Sequence, residues 1–199
     1  SIVSESQIVF VAANVDSGVC GLKVLFSNPK HFSFQNQLLT MNIVASPTIT
    51  SATPAAAYAG GTVTLSGSNF IFGSQTCTAT VCSAAASSCS ILSTGSVVIV
   101  LSASASVGSC AIAVRASNPP TAAAVNASGL LTVVGAPYIG SVDPGYAYAG
   151  SVLTVSGGNF IPGAQNCSAA ICGVAAPSCS ILGVAAISVV AAASLSTGG

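Results

Sequence analysis

Charge is the scarcest property of this sequence: three basic and three acidic side chains are spread over 199 residues, with one histidine and no tryptophan. An ordinary soluble domain carries about 25% charged residues. Lys23, Lys30 and Arg115 are too few to form the basic patch that a phosphate backbone requires, so no nucleic acid partner is expected. Glu5, Asp16 and Asp143 are equally scattered, and no set of oxygen ligands for calcium is visible. Acid or base catalysis needs a partner group within hydrogen-bond reach. The single histidine, His31, follows Lys30 rather than an orienting carboxylate, so the expectation is no enzyme, no catalytic residue and no cofactor.

Long apolar runs are also missing, although 52% of the residues are hydrophobic. The longest nearly uninterrupted one, Ile181 to Leu195, falls short of the roughly 20 residues that cross a bilayer. Its β-branched content fits a strand, and no membrane span is expected in this segment. Helical periodicity of useful length occurs nowhere. No charged-then-apolar leader precedes Ser1, which leaves a mature product or a segment of something longer.

What the sequence does have is repetition. SGSNFIFGSQTCTATVCSAAASSCSIL, Ser66 to Leu92, returns ninety residues later as SGGNFIPGAQNCSAAICGVAAPSCSIL, Ser156 to Leu182. The eight cysteines fall into four repeated positions: Cys20 with Cys110, Cys77 with Cys167, Cys82 with Cys172, and Cys89 with Cys179. A fixed period is the mark of a repeat architecture. It divides the chain into a C-terminal part of one repeat at 1–46, a complete repeat at 47–136, and an N-terminal part of the next at 137–199.

Each repeat reads as all-β, with short alternating runs separated by turn residues. In GTVTLSG, Val63 and Leu65 face one way and Thr62 and Thr64 the other. In CAIAVRA, Cys110, Ile112 and Val114 share a face opposite Arg115, and Leu131 and Val133 alternate with Thr132. SVVIVL, Ser96 to Leu101, is continuously apolar and predicts a strand buried on both sides.

PTITSATPAAAYAGGTVTLSGSNF, and PYIGSVDPGYAYAGSVLTVSGGNF after it, resemble the opening of an IPT/TIG domain, the immunoglobulin-like module of plexins, transcription factors and microbial surface proteins. The resemblance is carried by Pro47 and Ile49, Pro54, Gly60, and the turn Gly67-x-Asn69-Phe70. It implies seven-strand immunoglobulin-like β-sandwiches in tandem, with a binding or spacer role and no catalysis. Four cysteines per repeat and the missing charge depart from the common pattern, so a DNA or receptor partner is not carried over. Gly67 is expected to supply a glycine-only conformation at the turn. Tyr58 and Tyr148 are read as packing at domain junctions rather than as sugar-stacking aromatics.

Four cysteines per small unit make either two disulfides or a four-thiolate zinc site. Zinc sites favour paired CxxC knuckles, whereas the spacings here are four, six and twenty residues, so disulfides are expected and no metal. On the implied sandwich, Cys82 ends strand C where strand F begins at Cys110, and strand C′ brings Cys89 back to Cys77. The expected bridges are therefore Cys77 with Cys89, Cys82 with Cys110, and Cys167 with Cys179. This leaves Cys172 and Cys20 to pair outside the segment or with a neighbouring copy. A longer tandem array is favoured over subunits that complete one another's half-domains, because both ends carry a strand-E-like run, at 7–12 and 186–192. Oxidised cysteines place the chain outside the cell or on its surface.

An uncharged surface needs another source of solubility, and covalent glycans are the expected one. Two N-x-Ser sequons occur, at Asn126, expected in the F to G loop, and at Asn166; Ser87, Ser88, Ser93, Thr94, Ser102 and Ser104 are candidate O-linked positions. The junction LLTVVGAPYIG leaves only Gly135 and Ala136 between successive domains, without a flexible tether. The expected function is structural: an extracellular filament, surface fibre or adhesin stalk of stacked domains that associate end to end or continue along one chain. The alternatives are an extracellular glycan- or protein-binding module, and an accessory domain of a larger secreted enzyme.

Overall fold

The computed structural model describes residues 2–4, 7–8, 17–21, 40–117 and 124–194. The readings made at Glu5, Asp16, Lys23, Lys30 and His31, and most of the run 7–12, lie outside the described residues. Every element among the described residues is a β-strand. The chain divides into two units, Ser1–Pro47 and Thr48–Gly199.

The first unit contains two antiparallel pairs. β1 (Ile2–Ser4) pairs with β2 (Gln7–Ile8), and β3 (Gly18–Gly21) pairs with β4 (Thr40–Ile43), with Cys20 opposite Met41.

The second unit opens with a closed immunoglobulin-like sandwich. Its first sheet has the order β10 (Ser88–Ser93), β11 (Ser96–Val100), β7 (Thr62–Ser68), β5 (Thr48–Thr53). The second sheet has the order β6 (Ala56–Tyr58), β13 (Val125–Val134), β12 (Gly108–Ser117), β8 (Thr76–Val81), β9 (Ala84–Ala85). All pairings are antiparallel except β6 with β13, which run parallel with Tyr58 opposite Val134. The chain switches sheets between β5 and β6, where Pro54 follows a cis peptide bond.

Period-two alternation builds the core. Val63 and Leu65 of β7, Val97 and Ile99 of β11, Ile112 and Val114 of β12, and Leu131 and Val133 of β13 are buried, while Thr62, Arg115 and Thr132 are exposed. Burying such side chains contributes roughly 1.5–3 kcal/mol each. β11 departs from the expectation of burial on both sides: Val97 and Ile99 enter the core, but Val98 and Val100 are only half-buried. Its outer side bears no second layer, because the sandwich has two sheets and β11 lies inside the first of them.

The expected role of Gly67 also changes. Its φ is not in the left-handed region; that conformation falls on Asn69, at φ 62. Glycine is required at 67 because a Cβ there would collide with the Thr48 carbonyl on β5 and press on the Phe70 ring. The constraint is close approach of two backbones rather than conformation.

After β13, residues 135–137 lead into a further sheet of order β14 (Tyr138–Asp143), β15 (Val152–Gly158), β19 (Ala186–Val190), β18 (Ser178–Gly183). Its register pairs are those of β5, β7, β11 and β10 displaced by ninety residues, as in Tyr138 with Gly158 beside Thr48 with Ser68. The short hairpin β16 (Ala170–Ile171) with β17 (Val174–Ala175) corresponds to the end of β8 and β9. No counterpart of β12 and β13 follows among the described residues.

Candidate functional site

Two features set this chain apart from a plain sandwich: its disulfides and the contact from the closed sandwich to the segment after it. Cys77 on β8 is bonded to Cys89 on β10, with a Cα–Cα distance of 5.5 Å. Cys82, one residue past β8, is bonded to Cys110 on β12 at 4.8 Å. Cys167 is bonded to Cys179 at 5.4 Å. Cys172 is an exposed free thiol, and Cys20 lies on β3.

The route by which Cys89 reaches Cys77 differs from the sequence reading. Strand C′ is the two-residue β9, and Cys89 lies beyond it on β10, in the opposite sheet. The Cys77–Cys89 bond therefore ties one sheet to the other. Cys82–Cys110 joins two strands of the same sheet, beside the hydrogen bond from Cys82 N to Ala111 O at 3.1 Å. Cys82 itself has φ 49, and Ser83 after it φ 66, so the chain reverses tightly at the bonded residue.

The junction is built by one tyrosine. β6 ends at Tyr58, whose hydroxyl lies 2.6 Å from the Asn159 carbonyl oxygen and 3.0 Å from Gln165 Oε1, with its single proton shared between these two acceptors. Gln165 Oε1 also accepts from Ile161 N at 3.1 Å, which holds the Asn159–Gln165 turn in shape. Asn159, at φ 61, turns its side chain back so that Nδ2 donates to Ala136 O at 2.9 Å. Gly135 suits this arrangement, because a Cβ there would stand 3.1 Å from Asn159 Nδ2. Three hydrogen bonds thus connect the closed sandwich and its linker to the turn that follows β15. Tyr148 occupies the same kind of turn as Tyr58, with its carbonyl accepting from Ser151 N as Tyr58 O does from Gly61 N, but it is 89% exposed.

The sugar-attachment candidates fall into three environments. Asn126 is exposed, but on strand β13 opposite Ala113 rather than in the F to G loop, because β13 starts at Val125. Asn166 is exposed beside the bonded Cys167. Ser88 and Thr94 are exposed, whereas Ser93 Oγ accepts from Gly95 N and Ser102 Oγ is hydrogen-bonded to Ser104 Oγ at 2.8 Å. Ser87 Oγ donates to Leu101 O at 3.2 Å. The last four hydroxyls thus serve turns and strand ends.

Among the described residues no three His, Cys, Asp or Glu side chains group to hold a metal, and no helix is long and apolar enough to cross a membrane. Asp143 is exposed at the end of β14.

Residues 47–133 match the family described as IPT/TIG domain. No curated protein matches this chain. Among solved structures the chain is similar to the Plexin A4 full extracellular region, domains 1 to 10, at 18% identity and a TM-score of 0.49, over 76% of this chain and 13% of that one. It is also similar, at 17% identity and a TM-score of 0.33, to a protein whose crystal structure is with xylogluco-oligosaccharide, over 76% of this chain and 36% of that one. The chain therefore spans much less than two thirds of the length of either.

Proposed function

We propose that this chain, whose residues 47–133 form an IPT/TIG domain, is a non-catalytic structural element: a stretch of tandem IPT/TIG-like domains in an extracellular, glycan-covered filament, surface fibre or adhesin stalk. The observation that carries this reading is the junction. Gly135, Ala136 and Pro137 separate β13 from β14, and Tyr58 and Asn159 hydrogen-bond across them, so that successive domains stack with little freedom. Repeat proteins gain stiffness from such nearest-neighbour contacts. Three disulfides support an oxidising compartment, and exposed hydroxyl and amide side chains in place of charge support a sugar coat. Electron microscopy of the native material tests the proposal: continuous thin fibres with an axial repeat are expected, carrying a mass above that of the polypeptide. Isolated, dispersed particles of bare polypeptide mass would overturn it.

A further inference from the structure

The outer side of the second sheet carries a row of side chains that neither the core nor the junction uses. Asn126 on β13 stands opposite Ala113 on β12, Ala113 opposite Thr80 on β8, and Thr80 opposite Ala85 on β9. Ala113 lies between the buried Ile112 and Val114, so the row faces outward, because successive side chains on a strand alternate sides. Asn126, Thr80 and Ala85 are exposed, and Ala113 is half-buried. With strands about 4.8 Å apart, the row is a shallow lane about 14 Å long, with an amide at one end and methyl groups along its floor. One step along the same face stand Arg115 and Thr78, paired across β12 and β8 and both exposed. Arg115 is the only charged side chain between Lys30 and Asp143.

The backbone presents Asn126 and its sequon partner Ser128 for modification. β6 pairs with β13 only at Thr132, Val133 and Val134, so among the described residues no strand covers the other edge of 126–128. Immediately afterwards the register with β12 shifts: Ser128, Gly129 and Leu130 lie opposite Ala111 alone, and Gly129 has φ 73. Ser128 opens this bulge and is exposed. Asn126 Nδ2 donates one hydrogen to Ala124 O at 3.3 Å and keeps its second. The other sequon, Asn166-Cys167-Ser168, is not equivalent, because its central residue is bonded to Cys179, which fixes the backbone between amide and hydroxyl.

We propose that Asn126 carries an N-linked oligosaccharide whose first sugars lie along the lane of Ala113, Thr80 and Ala85, with Arg115 donating hydrogen bonds to their oxygens. The inference rests on the reading of a sugar-covered surface, to which it gives one attachment point and one bed. The apolar C–H face of a sugar ring packs on the methyl groups, and the guanidinium beside it offers five N–H donors to hydroxyl or carboxylate oxygens. The sugar donor is an oligosaccharide joined through its anomeric carbon to a lipid phosphate. Asn126 Nδ2 bonds to that carbon, and the bond from the carbon to the phosphate oxygen breaks. The lipid phosphate departs with the electron pair and takes up the proton that Nδ2 gives up.

Electron-transfer mass spectrometry of glycopeptides from the chain made in its own cells tests the site, and a saccharide mass on Asn126 is expected. Ser128→Ala should abolish it and Ser128→Thr should retain it, because the sequon needs a hydroxyl two residues after the amide. Arg115 is then probed with phenylglyoxal on the whole folded chain. Sugar held by the guanidinium should slow its modification about tenfold relative to the Ser128→Ala and Asn126→Gln chains, which should match each other. A bare Asn126, sugar that survives Ser128→Ala, or equal Arg115 reactivity with and without the sugar would overturn the inference. Fibres whose sugars all sit on hydroxyl side chains would sink it and leave the filament reading standing. Dispersed single particles with sugar on Asn126 and a shielded Arg115 would do the reverse.

Discussion

Removing one bridge at a time should rank the two disulfides of the closed sandwich. The Cys77–Cys89 bond closes a separation of 12 residues and Cys82–Cys110 one of 28. With chain entropy as the stabilising term, these correspond to ~2.8 and ~3.6 kcal/mol. Cys110 adds a second contribution. It is buried among Ile112, Leu131 and the rest of the core, whereas Cys77, Cys82 and Cys89 are half-buried. Truncating it to alanine leaves a gap worth about 1 kcal/mol more. The Cys82→Ala/Cys110→Ala pair should therefore cost about 4.5 kcal/mol and the Cys77→Ala/Cys89→Ala pair about 3 kcal/mol. Hydrogen exchange of the β7 and β11 amides, read peptide by peptide on the whole chain without reductant, follows opening of this core. The first variant should lose about ten times more protection than the second. Equal losses, or the reverse order, would refute the assignment of stability to loop closure plus burial of Cys110.

Two further perturbations separate causes that the sequence alone runs together. Gly67→Ala should destabilise by about 3 kcal/mol, since backbone on β5 must move to admit the Cβ. Gly73→Ala, at φ 85 with open space around the new atom, should cost only about 1 kcal/mol of strain. Thermal unfolding compares them, and equal shifts would mean that approach to Thr48 is not the constraint. Tyr58→Phe removes the hydroxyl that meets Asn159 and Gln165 but leaves the core untouched. It should cost the junction about 1 kcal/mol and broaden the distribution of angles between the closed sandwich and the sheet that follows it in solution scattering. An unchanged scattering curve would show that these hydrogen bonds do not set the stacking.

Much of this architecture is legible along the chain. Alternation at Val63 and Leu65, or at Ile112 and Val114, reports directly which side of a strand meets the core, because successive side chains on a strand point to opposite faces. The turn Gly67-x-Asn69-Phe70 and the prolines carry the family resemblance, and the match at residues 47–133 agrees with it. Scarcity of charge is likewise a property of composition alone. What local pattern does not encode is which sheet a short strand joins. Cys89 lies on β10, across the sandwich from Cys77, because only two residues of β9 intervene before the chain crosses over. The same ignorance of neighbours made SVVIVL read as buried on both sides, and placed Asn126 in a loop although β13 has already begun there. Gly67 teaches the point most sharply: its identity follows from the Thr48 carbonyl, nineteen positions earlier, brought close only by pairing of β5 with β7. Tyr58 and Tyr148 share sequence surroundings, yet one donates across a junction and the other stands exposed. Side-chain chemistry and period are written in the sequence; which groups meet depends on sheet pairing, whose partners lie tens of residues away.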